Sequence, residues 1–313
     1  MSEWQTFCLK DLGKIVGGAT PPTNNPKNYG NKIAWITPKD LSTLQGRYIK
    51  KGSRSISRLG FKSCSCVLLP KHAILFSSRA PIGYVAIAKK RLCTNQGFKS
   101  IIPNKKIYFE FLYYLLKYHK DNISNIGGGT TFKEVSGATL GLFEVKIPPT
   151  YCEQQKIART LSVLDQKIEN NHKINELLHT LAYKIYEYYF KYKPKNAKLE
   201  QIIIENPKSS IMVKNAQKTQ DKYPFFTSGD NILSYPKAII DGRNCFLNTG
   251  GNAGIKFYVG KASYSTDTWC ICANEFSDYL YLLLSSIKNH INQSFFQGTS
   301  LKHLQKNLLK KYP

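Results

Sequence analysis

Apolar residues recur at steps of three and four along one long stretch near the middle of the chain. We name them the apolar seam: Ile157, Leu161, Leu164, Ile168, Ile174, Leu178, Leu181 and Ile185. This spacing places all eight on one side of an α-helix. Residues 153–190 contain neither Gly nor Pro, and a helix of that length would extend about 57 Å. We predict a spacer helix of the coiled-coil type; a long helix buried in a core is the alternative.

Two local signals mark the start of this helix and an irregularity within it. Pro148 and Pro149 end the preceding segment, and Thr150 with Glu153 forms a Ser/Thr-x-x-Glu capping box. The step of six residues between the fourth and fifth seam residues shifts the heptad phase. A coiled coil built on this seam is therefore imperfect near its centre.

Shorter apolar runs bounded by Gly and Pro precede the helix. They predict strands at residues 33–36, 67–70, 73–76, 84–87, 99–102 and 142–147, a helix that starts at Thr37 or Pro38, and a helix over residues 109–119. This content is typical of one α/β (α+β) domain, which we place at residues 1–149. We predict the spacer helix at residues 150–193 and a second domain at residues 194–313.

Motifs of the first domain recur in the same order in the second. The correspondences are residues 129–133 (GTTFK) with 298–302 (GTSLK), 111–116 with 280–285, 74–78 with 245–249, and 94 with 266, at offsets between 169 and 172. Each match alone is weak, but four in one order indicate a duplicated domain.

Charge suggests the class of partner. The 313 residues carry 45 Lys and Arg against 20 Asp and Glu, a formal net charge of +25. Such a surplus indicates a polyanionic partner, nucleic acid before a membrane. Glu3, Lys10 and Asp11 interrupt any signal peptide, and the most apolar stretches are too short to span a bilayer. We therefore expect a cytoplasmic protein that does not engage a membrane.

No constellation of catalytic residues is visible in the sequence. The close cysteine pairs, Cys64 with Cys66 and Cys270 with Cys272, have strand spacing and lack zinc-site companions, so we expect buried strand thiols. The glycines of residues 250–254 predict a turn between strands more than a phosphate cradle. We predict no catalytic residue, no metal and no cofactor. A self-sufficient DNA nuclease or methyltransferase with an unrecognised active site is the alternative, and an RNA-binding scaffold ranks below it.

Together these features resemble the specificity subunit of type I restriction–modification systems. The resemblance covers nearly the whole chain and is carried by four segments: 148–158 (PPTYCEQQKIA), 35–41 (WITPKDL), 81–83 (PIG) and 94–98 (TNQGF). The chain departs from the family where its second domain ends at Pro313, because a second long helix would be expected to start there.

The resemblance implies a non-catalytic DNA-binding subunit. In that family each target recognition domain reads one half of a bipartite DNA sequence, and two long helices pair antiparallel as a ruler between them. Methyltransferase (modification) subunits and a restriction/motor subunit supply the chemistry. Without a second helix, we expect another chain to cover the apolar seam, either a second copy in a homodimer or a modification subunit. The alternative is that the two domains fold back over the helix.

Basic and polar side chains of both domains are the candidate DNA contacts, since Arg can read guanine and Lys suits phosphates. They are Lys39, Arg47, Arg54, Arg58, Arg79 and Lys133 in the first domain, and Thr249, Asn252, Lys256 and Lys302 in the second. The eight seam residues are the candidate helix-pairing residues.

Overall fold

The computed structural model describes residues 3–79, 81–129, 133–216 and 222–313. The chain forms two compact units, residues 1–175 and 176–313, and the boundary between them falls inside the long helix. Most of the predicted Gly-Thr-Thr motif of the first domain, residues 130–132, lies outside the described residues.

The first unit combines short strands with a few helices. Its strands are β1 Gln5–Cys8, β2 Gly13–Gly17, β3 Tyr29–Ile36, β4 Tyr48–Ile49, β5 Arg54–Ile56, β6 Ile74–Ser78, β7 Ile82–Ala88, β8 Cys93–Thr94, β9 Lys99–Pro103 and β10 Glu144–Ile147. Its helices are α1 Leu9–Leu12, α2 Pro38–Ser42, α3 Arg58–Lys62, α4 Phe109–Asn125, α5 Gly137–Leu142 and the first part of α6 Tyr151–Tyr186.

A five-stranded sheet in the order β2-β9-β6-β7-β4 forms the centre of the first unit. Alternate residues of a strand face opposite sides of its sheet. Accordingly, Ile74 and Phe76 of β6 join Leu112 and Leu116 of α4 in one buried cluster, whereas Leu75 belongs to another cluster. A second sheet, β5-β3-β8, and a two-stranded sheet, β1-β10, complete the unit.

The second unit repeats this topology. Its elements are α7 Leu199–Ile202, β11 Ile204–Glu205, α8 Val213–Ala216, β12 Tyr223–Phe226, β13 Leu233–Tyr235, β14 Arg243–Asn248, β15 Ile255–Val259, β16 Ser263–Tyr264, β17 Thr268–Cys272, α9 Ser277–Ser286, α10 Lys288–His290, β18 Phe296–Gln297, β19 His303–Leu304 and α11 Lys306–Lys310. The order β11-β17-β14-β15 matches β2-β9-β6-β7, and β13-β12-β16 matches β5-β3-β8. In both small sheets the last pair is parallel.

One pair of backbone hydrogen bonds shows the repeat at the level of atoms. Val135 N donates to Ser78 O at 3.0 Å, and Leu304 N donates to Thr249 O at 2.9 Å. In each unit this bond ties the segment after the Gly-Thr motif to the residue at, or just after, the end of the central strand. The predicted duplication is therefore confirmed in the fold.

The predicted long helix is confirmed. It runs through Tyr151–Tyr186 and continues as a π-helical turn at Glu187–Lys191. Thr150 Oγ1 accepts a hydrogen bond from Glu153 N at 3.2 Å, so Thr150 caps the start as predicted. Charged residues are distributed around its other faces, and none of the helices within the described residues is both long and apolar enough to cross a bilayer.

Most of the apolar seam lies at the surface of the chain. Leu161, Leu164, Ile168, Ile174, Leu178, Leu181 and Ile185 are between 36% and 57% exposed. Ile157 differs, because it packs against the core of the first unit beside the buried Ala158. Beyond Ile157 the seam face of the helix is therefore not buried in a core.

The predicted strand at residues 67–70 is wrong. The segment forms only an isolated bridge in which Leu69 pairs with Leu92, because no neighbouring chain continues the ladder and Pro70 cannot donate. Cys64 and Cys66 lie in irregular backbone rather than on a strand, although Cys66 is buried. Cys270 does lie buried within β17.

Two adjacent glycines offer a matched stability test. A Cβ on Gly18 would lie 2.0 Å from Asn95 O and 2.4 Å from Thr94 O, whereas a Cβ on Gly17 would meet nothing within 4 Å. We expect Gly18→Ala to destabilise the first unit by about 3 kcal/mol, because backbone must shift. Gly17→Ala should cost less than about 1 kcal/mol. Thermal unfolding measures both, and equal shifts would contradict this packing.

Candidate nucleic-acid interface

The turn at residues 94–98, between β8 and β9, gathers two predicted DNA-binding residues of the first unit. Ser78, at the end of β6, donates its N–H to Gly97 O at 2.8 Å. The first residue of α2 also lies against Gly97. Arg79 follows Ser78 and Lys39 lies in α2, so both are held beside this turn.

Two further contacts bring Lys133 and Arg54 into the same region. Lys133 lies two residues before Val135, whose N–H bonds to the end of β6. Ser53 N donates to Asp40 Oδ1 of α2 at 2.7 Å, which holds Arg54 close to α2. Lys39, Arg54 and Lys133 are exposed, so this end of the first unit presents cations to solvent.

Arg79 takes part in an ion-pair network at this end. Its Nη1 lies 3.4 Å from Glu134 Oε2, and Lys99 Nζ lies 3.1 Å from Glu134 Oε1. Burial opposes ionisation of Glu134, but the hydrogen bond and charge of Lys99, with the charge of Arg79, outweigh it and lower the pKa of Glu134. The Arg79 side chain is still 38% exposed, so it keeps donors available to a ligand.

The other two predicted arginines of the first unit lie elsewhere. Arg58 begins α3, beyond the far end of β5, and is exposed. Arg47 is in the interior: its side chain is only 5% exposed, and its Nη1 lies 3.3 Å from Glu110 Oε1. The structure thus commits the guanidinium of Arg47 to a carboxylate instead of presenting it to DNA.

The second unit has an equivalent arrangement. Thr249, just after β14, donates to Asp267 O through both its N–H at 3.2 Å and its hydroxyl at 2.8 Å. Gly251 N donates to Lys302 O at 2.9 Å. The strand end, the turn between β16 and β17, and the segment after the Gly-Thr-Ser motif therefore meet, as the strand end, the turn at residues 94–98 and the segment at residues 133–135 do in the first unit.

Asn252 and Lys256 have different environments in this second site. Asn252 is exposed in the turn between β14 and β15, which is the predicted glycine turn between strands. Lys256 Nζ turns inward and donates to Thr227 O at 2.8 Å and to Asn248 Oδ1 at 3.3 Å. Burial lowers the pKa of Lys256. Lys256 therefore supports the end of β14, whereas Asn252 is open to a ligand.

Gln96 is a further candidate for this interface and was not among the predicted residues. It lies exposed at the tip of the turn between β8 and β9, and its Oε1 accepts a hydrogen bond from the Thr20 hydroxyl. Gln side chains can read adenine through two hydrogen bonds. The motif TNQGF at residues 94–98 and its counterpart at Thr266 were sequence signals for this turn.

The candidate interface is rich in hydrogen-bond donors. Within the described ranges, no cluster of three or more His, Cys, Asp or Glu side chains could hold a metal ion. The end of the first unit presents Arg, Lys and Gln donors beside its turn, and that of the second presents Asn and Lys donors. Such donors suit phosphate oxygens and the acceptor edges of bases.

Comparison with known families identifies the relationship of the chain. The sequence model of a family described as the type I restriction modification DNA specificity domain matches residues 1–180, more than half of the 313 residues. The chain belongs to this family. The match to the type I specificity family covers the whole first unit of the chain and the start of the second.

Several relatives carry the same description. The type I restriction enzyme MjaIX specificity subunit of Methanocaldococcus jannaschii is 47% identical over 191 residues, which cover 60% of this chain and 44% of that protein. The HindI specificity subunit of Haemophilus influenzae is 31% identical over 177 residues, 54% of this chain and 37% of that protein. The chain thus matches less than half the length of these two curated relatives.

One solved structure supports the fold over nearly the whole chain. The crystal structure of the type I restriction–modification S subunit from Mycoplasma genitalium matches with a TM-score of 0.60 at 17% identity. The match covers 98% of this chain and 83% of that one. Both units and the long helix therefore belong to a known architecture of the type I specificity family.

Proposed function

We propose that this chain is the DNA-specificity subunit of a type I restriction–modification enzyme, in which each unit reads one half of a bipartite DNA target. The family match over residues 1–180 carries the proposal. The repeated topology supplies a second reading domain, and in both units the end of the central strand meets a turn and the segment that follows the Gly-Thr motif. The net charge of +25 suits a DNA partner.

In this proposal the chain performs no chemistry itself. It positions methyltransferase (modification) subunits and a restriction/motor subunit on the DNA, and the long helix is the ruler between the two half-sequences. The names of the relatives, which are specificity subunits, support this assignment. The alternative of an independent nuclease or methyltransferase predicts reaction products when the chain alone meets DNA, Mg²⁺ and S-adenosylmethionine.

Selection from a pool of random duplexes tests the proposal. The chain, purified together with the modification subunit of its own cell, should enrich two short specific sequences separated by an indifferent spacer. Methylation of the enriched DNA should require both proteins. A single continuous motif, or no enrichment at all, would refute the proposed function.

The apolar seam provides a basis for pairing with a second long helix. It is symmetric about Asn171: Ile168 and Ile174 lie three residues away, Leu164 and Leu178 seven, Leu161 and Leu181 ten, and Ile157 and Ile185 fourteen. An antiparallel copy of the same helix, with a two-fold axis at Asn171, would therefore place seam residue against seam residue from Leu161 to Leu181, whereas Ile157 packs against the first unit. We propose a second copy of the chain as the partner of this seam.

Two exposed lysines give a test of the interface in the first unit. Lys39→Met with Lys133→Met should weaken binding about equally for all DNA sequences, since lysines contact phosphates. If each contacts one phosphate, the slope of log affinity against log salt should fall by about 1.8. Titrations of labelled duplex at several salt concentrations measure it.

The matched control removes two positive charges from the opposite end of the β6–β7 pair. Lys89 and Lys90 are exposed and follow β7, at the opposite end of the β6–β7 pair from Arg79. Lys89→Met with Lys90→Met should leave the salt slope nearly unchanged. An equal fall of the salt slope in both double variants would show that DNA binding depends only on net charge. It would then refute the assignment of DNA contacts to this face.

A further inference from the structure

Arg47 joins three elements of the first unit that lie far apart in the sequence. Its carbonyl accepts a hydrogen bond from Ile87 N of β7 at 2.8 Å. Its Nη1 bonds to Glu110 Oε1 of α4 at 3.3 Å. On α6, Glu169 Oε1 accepts a hydrogen bond from Arg47 N at 3.2 Å and lies 3.6 Å from Arg47 Nε. One residue thus connects the sheet, α4 and the long helix.

Asp165, one turn before Glu169 on α6, adds to this junction. Its Oδ2 lies 3.9 Å from Arg47 Nε and accepts a hydrogen bond from the hydroxyl of Tyr114 at 2.8 Å. Burial and the bond to Asp165 raise the pKa of Tyr114, so its hydroxyl remains a donor at neutral pH. Lys117 of α4 is the second cation beside Asp165, and its Nζ lies 3.9 Å from Asp165 Oδ1.

The glycine before Arg47 permits this close approach to the helix. Gly46 has a φ of +108°, a backbone conformation that side chains rarely adopt. A Cβ at this position would lie only 2.9 Å from Glu169 Oε1. The loop therefore brings the backbone of Gly46 and Arg47 against the Glu169 side chain of α6.

A separate anchor holds the start of α6. Gln154 is 1% exposed. Its Nε2 donates to Lys106 O at 3.1 Å and to Pro148 O at 3.2 Å, while its Oε1 accepts from Tyr108 N at 2.8 Å. Asp165 is eleven residues further along, or about 17 Å of helix.

Because α6 is held at two points, at Gln154 and at Arg47, both its direction and its position are fixed. If the anchor at Arg47 moved by about 1 Å about a pivot at Gln154, the end of the first-unit part of α6 at Asn175 would move sideways by about 2 Å at 1.5 Å of rise per residue. The two anchors therefore determine the direction in which α6 leaves the first unit.

We propose that Arg47 is a positioning residue that sets the direction in which the long helix leaves the first recognition domain, and thereby the spacer length that the protein accepts. This inference rests on the proposed function. It assigns Arg47 a role in specificity without contact to DNA. The three carboxylates around its guanidinium, from α4 and α6, are the groups through which it acts.

The main variants are Arg47→Lys and Tyr114→Phe. Lys retains the charge, but its three donors sit on one nitrogen instead of a planar fork, so it cannot reach Glu110 and the α6 carboxylates together. Tyr114→Phe removes the hydroxyl on Asp165 and disturbs packing little, which keeps the test usable if Arg47→Lys folds poorly. Arg243→Lys is the control, because the ion pair of Arg243 with Asp278, at 2.7 Å, does not involve α6.

The first measurement needs no DNA. Backbone amide exchange at residues 162–172 of α6 should become at least about tenfold faster in both main variants. Exchange at residues 151–158, which Gln154 holds, should stay within about twofold of the wild-type rate. Unchanged exchange at residues 162–172 in both variants would overturn the anchor itself.

The second measurement uses the selected bipartite duplex and versions with the spacer one base pair shorter or longer. We expect the wild type and the Arg243 control to lose about tenfold in affinity per base pair of change, and the main variants to lose about threefold or less. Equal discrimination in all proteins would overturn the role in spacing. If the wild type itself preferred no spacer, the proposed function would fail, while the exchange result would still decide whether Arg47 anchors the helix.

Discussion

Four residues inserted between Asn175 and Glu176 should change the spacer of the recognised DNA and leave both half-sequences intact. The insertion point follows from the structure, since Asp165 and Glu169 are held in the first unit and His179 Nε2 lies 3.1 Å from the hydroxyl of Tyr281 in the second. Four helical residues add about 6 Å of length and about 40° of net rotation. We expect the preferred spacer to grow by about one or two base pairs, with the original spacer bound at least about tenfold more weakly.

An insertion of two residues at the same point is the control. It adds only about 3 Å but rotates the following helix by about 200°. Both half-sites should then no longer bind together, and affinity should fall to that of one half-site. Selection from random duplexes measures both variants. A change in either half-sequence after the four-residue insertion would mean that the helix is not the ruler.

Leu164→Lys combined with Leu178→Lys should abolish self-association of the chain. In the symmetric pairing proposed above, Leu164 of one copy faces the partner's Leu178, so the double variant places lysines opposite lysines at two points. Burying the exposed half of one leucine side chain stabilises the dimer by about 1 kcal/mol, so the four leucines of the two copies contribute about 4 kcal/mol in total. The dimer dissociation constant should rise by about a thousandfold, as sedimentation equilibrium can measure.

A charge-swapped variant tests the register of this pairing. Leu164→Glu with Leu178→Lys changes the same two positions but places Glu opposite Lys in the antiparallel dimer. It should recover part of the lost association, and the recovery should weaken with added salt. If both double variants are equally monomeric, the proposed axis at Asn171 is wrong. A wild type that stays monomeric at high concentration would remove the second copy as the partner.

The long helix could be predicted because its signals are local. Steps of three and four, the cap at Thr150 and the absence of Gly and Pro all lie within one segment, and the structure places α6 within a few residues of the prediction. The duplicated fold could also be predicted, since related motifs recur in order. The strand expected at residues 67–70 failed because a strand also needs a neighbouring chain to pair with, and Leu69 finds only Leu92.

The location of Arg47 could not be predicted for the same kind of reason. Its partners Glu110, Asp165 and Glu169 are between 63 and 122 residues away in the sequence. An arginine after a glycine in a polar loop has the pattern of a surface cation, and only the packing of α4 and α6 shows that it is enclosed. By contrast, Lys39 and Arg79 were found on the surface near one turn, because short motifs at residues 35–41 and 94–98 mark that region.

The pairing of β1 with β10 has a consequence for how the protein is made. Gln5 lies opposite Ile147, so these strands join chain segments about 140 residues apart, and closing so long a loop is entropically costly and slow. During synthesis β1 must wait unpaired until β10 has emerged from the ribosome, immediately before the first turn of α6. β1 is an exposed edge until then, and the first unit is complete only after α6 has followed as far as Glu169, which bonds to Arg47.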